Sequence, residues 1–160
     1  MPQITIEYMI MIPILIMQIF LFPLTAGLIM NGWVDSRRTL ALQETAGHLG
    51  SSIQQLYSAL NHATISAGTV TNKMDVPPFI EGYAYVGNAT LRTALDPALN
   101  SSKILDITLR LMGASIEATA SVTLGQNVEW QNSIFMSNST YASINATKQS
   151  NGVIRLSFGT

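Results

Sequence analysis

Between Glu7 and Asp35 the chain carries no charged side chain, and the intervening YMIMIPILIMQIFLFPLTAGLIMNGWV is mostly Ile, Leu, Met and Phe. A helix rises about 1.5 Å per residue and needs about 20 apolar residues to cross a bilayer core, so this stretch can span a membrane. It is longer than the roughly 7–15-residue apolar region of a secretory signal peptide, and it lacks the basic start and small-residue cleavage site of one. Trp33 stands where an interfacial aromatic is expected. Pro13 and Pro23 each remove a backbone donor inside the run, so both are expected as helix breaks, tolerated best where neighbouring helices cover them. Glu7 sits at the apolar boundary, where a carboxylate needs a partner or an interface.

The helical pattern continues beyond the apolar run. In RRTLALQETAGHLGSSIQQLYSALNH, Leu42, Thr45, Leu49, Ile53, Leu56 and Leu60 recur at spacings of three and four, which predicts an amphipathic continuation ending between Ala63 and Gly68. Gly47 and Gly50 each cost roughly 1 kcal/mol relative to Ala in a helix, and two so close together suggest close helix approach.

From about Thr69 the period becomes two. Ile116, Ala118, Ala120, Val122 and Leu124 alternate with Ser115, Glu117, Thr119, Ser121 and Thr123, the pattern of a half-buried strand. KILDITLRL places Leu105, Ile107, Leu109 and Leu111 on one face, and the MGA between the two runs suits a short antiparallel connection. TYASINAT and GVIRLSF repeat the alternation, EGYAYV is a further candidate, and Pro77 and Pro78 mark the entry to the strand region. The expected fold class is α+β: a long N-terminal α-helix followed by a C-terminal antiparallel β-sandwich, with domains at 1–68 and 69–160.

Four acceptor patterns for N-linked glycans fall in the β-region, at Asn88, Asn100, Asn138 and Asn145. Asn145 is expected on the polar face of its strand and the other three in loops. Arg37 and Arg38 alone favour a cytoplasmic C-terminal side, and the four acceptor sites weigh for the outside. Charged residues are 11% of the chain and the formal net charge is -1, which offers no electrostatic surface for nucleic acid. Cysteine is absent, which excludes disulfides, Cys-ligated zinc and thiol nucleophiles. His48 and His62 lack a suitably spaced ligating partner, and the Met residues fill apolar space rather than bind metal. No nucleophile, phosphate-loop or paired-carboxylate arrangement stands out, so catalytic, metal and cofactor-binding residues are all expected to be none.

The start QITIEYMIM resembles the archaeal type IV pilin processing motif, in which Gln begins the mature chain, a small hydroxyl residue follows two positions later and a Glu two after that. Gln3, Thr5, Glu7 and Tyr8 match that order. Family precursors carry a short basic leader before the Gln, whereas Met1 and Pro2 precede it here. The resemblance implies a long N-terminal helix, a glycosylated β-sandwich, and a structural subunit rather than an enzyme. Such a subunit waits in the membrane, is handled by pilus assembly machinery, and joins a homopolymeric helical filament at the cell surface that serves adhesion. Ile14, Leu21, Leu24 and Leu28 are the expected filament-core residues, with Glu7 recruiting a neighbour's N-terminal amine. The alternative expectation is a single-pass, membrane-anchored β-domain acting as a binding module, or a minor pilin-like component.

Overall fold

The computed structural model describes residues 3–94 and 102–159, with side chains from residue 8 onward. The expected fold class holds: one long helix, α1 (Gln3–Leu60), precedes eight strands, β1 (Gly68–Lys73), β2 (Tyr85–Thr93), β3 (Lys103–Leu111), β4 (Glu117–Leu124), β5 (Val128–Trp130), β6 (Ile134–Met136), β7 (Ser143–Lys148) and β8 (Ile154–Gly159). The chain divides into two compact units, Met1–Arg37 and Arg38–Thr160. The division expected at 68/69 marks the change from helix to strand; the compact units divide inside the helix.

In the larger unit the strands form two four-stranded sheets, ordered β1-β7-β8-β5 and β4-β3-β2-β6. All pairs are antiparallel except β5 with β8. Alternation determines which side chains go inside. Leu105, Ile107, Leu109 and Leu111 of β3 are fully buried, as are Ile144 and Ala146 of β7 and Ile154 and Leu156 of β8. The helix adds Leu42, Ala46, Leu49, Ile53, Tyr57 and Leu60 to the same core, so its residues at spacings of three and four present one apolar stripe to the strands. The stripe ends with α1 at Leu60, three residues before the expected end. Beyond it, His62 Nδ1 lies 2.8 Å from the Thr64 hydroxyl and Lys148 Nζ donates to the His62 carbonyl at 2.9 Å.

Among the described residues α1 is the one helix, so the close helix approach expected of the two glycines has no second helix to act on within the chain. A Cβ at Gly47 would meet nothing within 4 Å, and one at Gly50 would make ordinary contacts of 3.7 Å with Ile107 and 3.8 Å with Val122. Gly47 therefore carries the helix cost of glycine without a packing return. Gly47→Ala is expected to raise the unfolding free energy by about 0.5–1 kcal/mol in urea denaturation; an unchanged or lowered value would contradict this.

Close approach occurs instead in the sheet. A Cβ on Gly87 would run into the Phe135 ring and Leu109, so glycine at the inner face of β2 makes the space Phe135 fills. Phe135 then meets Tyr85 edge-on at 6.3 Å and Phe158 at 4.8 Å between ring centroids, joining β6 to both β2 and β8. Burial pushes the Tyr85 phenol up to about 12, and its hydroxyl donates to the Pro77 carbonyl at 2.7 Å. Ser137 Oγ donates to the Pro78 carbonyl, also at 2.7 Å. The proline pair, expected to open the strand region, instead lies between β1 and β2, pinned by these two bonds.

The segment EGYAYV is a turn followed by the start of β2. Ile80 and Tyr83 exchange two backbone bonds around Glu81 (φ 48°) and Gly82 (φ 84°), the pair of left-handed residues that a tight two-residue hairpin needs. Arg38 Nε holds the Glu81 carboxylate at 3.2 Å while its guanidinium covers the Tyr83 ring at 4.8 Å.

On the outer face of β2, β3 and β4, Arg92 Nε donates to Asp106 at 2.6 Å and Ser121 Oγ donates to it at 2.5 Å. The Arg92 bond holds the Asp106 carboxyl below the usual carboxylate range, against the opposing pull of partial desolvation. A depressed folded-state value means the contribution is complete above the ordinary carboxylate pKa of about 3.9 and is lost as pH falls through the lower folded-state value. Asp106→Asn is therefore expected to lower the thermal midpoint slightly at pH 7 and to leave it unchanged at pH 2. The effect stays small because solvent screens the pair. A difference of equal size at both pH values would show that packing rather than charge is involved.

Candidate assembly surface

The helix of the smaller unit is rich in Ile, Leu, Met and Phe, and nothing in its sequence offers a polar face. Every described large hydrophobic side chain from Tyr8 to Met30 is at least half exposed. Among the described residues, α1 is the one helix long and apolar enough to cross a membrane, and none of its most apolar 18-residue window is buried. Water would charge about 1.5–3 kcal/mol for each Ile, Leu or Phe left so exposed, so a surface of this extent requires lipid or protein around it.

The residues expected at the filament core all lie on this surface. Ile14, Leu21, Leu24 and Leu28 are each at least half exposed, and their spacings of seven, three and four place them along one side of the helix. Pro13 and Pro23 do not break the helix, contrary to expectation: α1 runs through both. Each withdraws a single N–H, so the carbonyls of Met9 and Ile19 lose their intrahelical donor while the turns on either side keep theirs. Shallow apolar grooves flank both positions, one including Pro13, Ile16 and Phe20, the other Gln18, Ile19, Phe22 and Pro23.

Polar side chains in this region mostly satisfy themselves. Thr25 Oγ1 lies 3.0 Å from the carbonyls of both Leu21 and Phe22, and Ser36 Oγ donates to the Gly32 carbonyl at 2.9 Å. At the charged end the Arg37 guanidinium sits 5.6 Å from the centre of the Trp33 ring, a pairing suited to a membrane–water boundary. Of the processing motif, Gln3, Thr5, Glu7 and Tyr8 all lie on the helix. The side chains of the first three fall outside the described residues, and Tyr8 is exposed.

The four asparagines with the acceptor pattern are placed differently from one another. Asn88 lies inside β2 rather than in a loop, exposed on the outer face and opposite Thr108 of β3 and Ile134 of β6. Asn138 occupies the exposed turn after β6. Asn145 is on the polar face of β7, half-buried, with its Oδ1 accepting the Thr71 hydroxyl at 2.8 Å. A side chain on Gly159 would run into the Ser143 hydroxyl and crowd the Asn145 amide nitrogen, so glycine there makes room for both side chains. Asn100 lies outside the described residues.

Neither the protein-family models, nor the curated proteins, nor the solved structures contain a match to this chain.

Proposed function

We propose that the chain is the structural subunit of an extracellular filament of the type IV pilus kind, held in the membrane by its apolar helix before assembly and joined to its copies by that helix afterwards. The observation that carries this reading is the uninterrupted exposure of large apolar side chains from Tyr8 to Met30 on a helix. In a bilayer that surface is solvated by acyl chains. Once extracted it must be covered again, and sister helices offer the same chemistry at roughly 25 cal/mol per Å² relative to water. Contacts repeating from one copy to the next are heterologous, and repetition of such a contact generates an open helical polymer. The β-units, with acceptor asparagines such as Asn88 and Asn138 at their surface, then form a glycosylated outer coat suited to adhesion.

The QITIEY start supports the same reading, with Glu7 recruiting a neighbour's terminal amine. Shearing cells that express the protein, followed by electron microscopy of the released material and mass spectrometry of its main band, tests the proposal. Filaments composed of this chain are the expected result. Recovery of the chain only in the membrane fraction, as a monomer, would overturn it in favour of an anchored binding module.

A further inference from the structure

An N-glycan is added when an asparagine Nδ2 forms a C–N bond to the anomeric carbon of a sugar held on a lipid phosphate. The C–O bond to the phosphate breaks, the phosphate leaves with the electron pair, and the amide gives up a proton. The nitrogen therefore needs open space around it, and the pattern Asn-X-Ser/Thr calls for the hydroxyl two positions on as well. The three described acceptor patterns meet these conditions unequally.

Asn88 and Thr90 are two positions apart on β2 and so share a face. Both are exposed on the outer side of the sheet, and neither side chain makes a hydrogen bond among the described residues. Asn138 and Thr140 are exposed in the turn after β6. Asn145 differs from both. It is half-buried on β7, and its Oδ1 accepts from Thr71 Oγ1 at 2.8 Å. Thr147, its partner in the pattern, has its hydroxyl 3.0 Å from that of Thr69. The register sets Thr71 opposite Asn145 and Thr69 opposite Thr147, so two rungs on one face of β1 hold both groups. The nitrogen is also hemmed in by β8, where a Cβ on Gly159 would come within 2.8 Å of it.

We propose that the β-unit is glycosylated as a folded unit and on one sheet only. Asn88 and Asn138, on or next to strands of the β4-β3-β2-β6 sheet, carry sugar, and Asn145 of the β1-β7-β8-β5 sheet does not. Asn145 and Thr147 serve instead to fasten the edge strand β1, whose six residues are all exposed and so contribute nothing to the core. The inference rests on the extracellular reading above and adds to it which face of the β-unit bears the coat.

The test uses full-length protein expressed in a host that N-glycosylates a control secreted protein, with occupancy at each asparagine measured by mass spectrometry of its peptides. Occupancy at Asn145 is expected to be about tenfold or more below that at Asn88 and Asn138, since the hydrogen bonds holding it have to be given up first. The double variant Thr69→Val, Thr71→Val keeps the β-branched shape that suits a strand and removes both hydroxyls. In it, occupancy at Asn145 is expected to rise several-fold while that at Asn88 stays as it was. Occupancy at Asn145 equal to either of the others in the parent overturns the inference, as does an Asn145 occupancy indifferent to the double variant. Sugar found at any of the three leaves the glycosylated coat standing in both cases. No sugar at any of them, in cells that modify the control, overturns the coat together with the inference.

Discussion

Replacing Ile14 or Leu21 with Asp is expected to abolish filaments while leaving the thermal unfolding of the Arg38–Thr160 unit unchanged. Both side chains are half exposed on the apolar helix, so neither substitution removes a contact made by the folded β-unit. What each does is place a carboxylate where lipid or a sister helix must lie. An Asp near the centre of a membrane helix costs about 2.5–3.5 kcal/mol in the membrane. In a packed filament the same charge has to be desolvated without a partner in every subunit, and a repeated contact multiplies the defect along the polymer. Negative-stain images of the sheared fraction, together with a melting curve of the purified variant, provide both readings. Filaments of ordinary length from either variant would refute the idea that this surface forms the core.

The second large effect lies in the other unit. Phe135→Ala is expected to destabilise it by about 3–5 kcal/mol, the usual loss when a buried Phe is truncated and its site cannot collapse. Phe135 is fully buried and joins Tyr85 to Phe158. Its space is defined by the missing side chain at Gly87, so position 87 has no side chain to move into the hole. Denaturation of the variant in urea measures the change. A loss below about 1 kcal/mol would mean that the surrounding strands repack more freely than their contacts imply.

How much of this was legible beforehand varies with the length and pattern of each segment. The strands β3, β4, β7 and β8 alternate over six to nine residues with their apolar members buried, and period-two counting finds such strands directly. Strands β5 and β6 have three residues each, too few to show a period, and GTVTNK of β1 is exposed throughout, so it has no apolar face to detect. Asn88, expected in a loop, follows Gly87 within β2. In the fold that glycine serves Phe135, a partner 48 positions along the chain that no local rule could supply. The glycines of α1 meet no second helix within the chain, because spacing suggests close approach but cannot say where the neighbour is. The prolines were expected to break a helix that runs through them, since their cost falls on one bond at a time.

The candidate surface was the most legible feature of all, because exposure of Ile14, Leu21, Leu24 and Leu28 follows from an apolar run with no alternation and no polar face.

Among the described residues, every buried hydrophobic side chain of the core lies at Leu42 or later. The stability of the β-unit and the stickiness of the apolar stretch are therefore written in separate parts of the sequence. In a filament of the proposed kind, the exterior could therefore change while the packing helix stays the same, or the helix could change without retuning the β-unit.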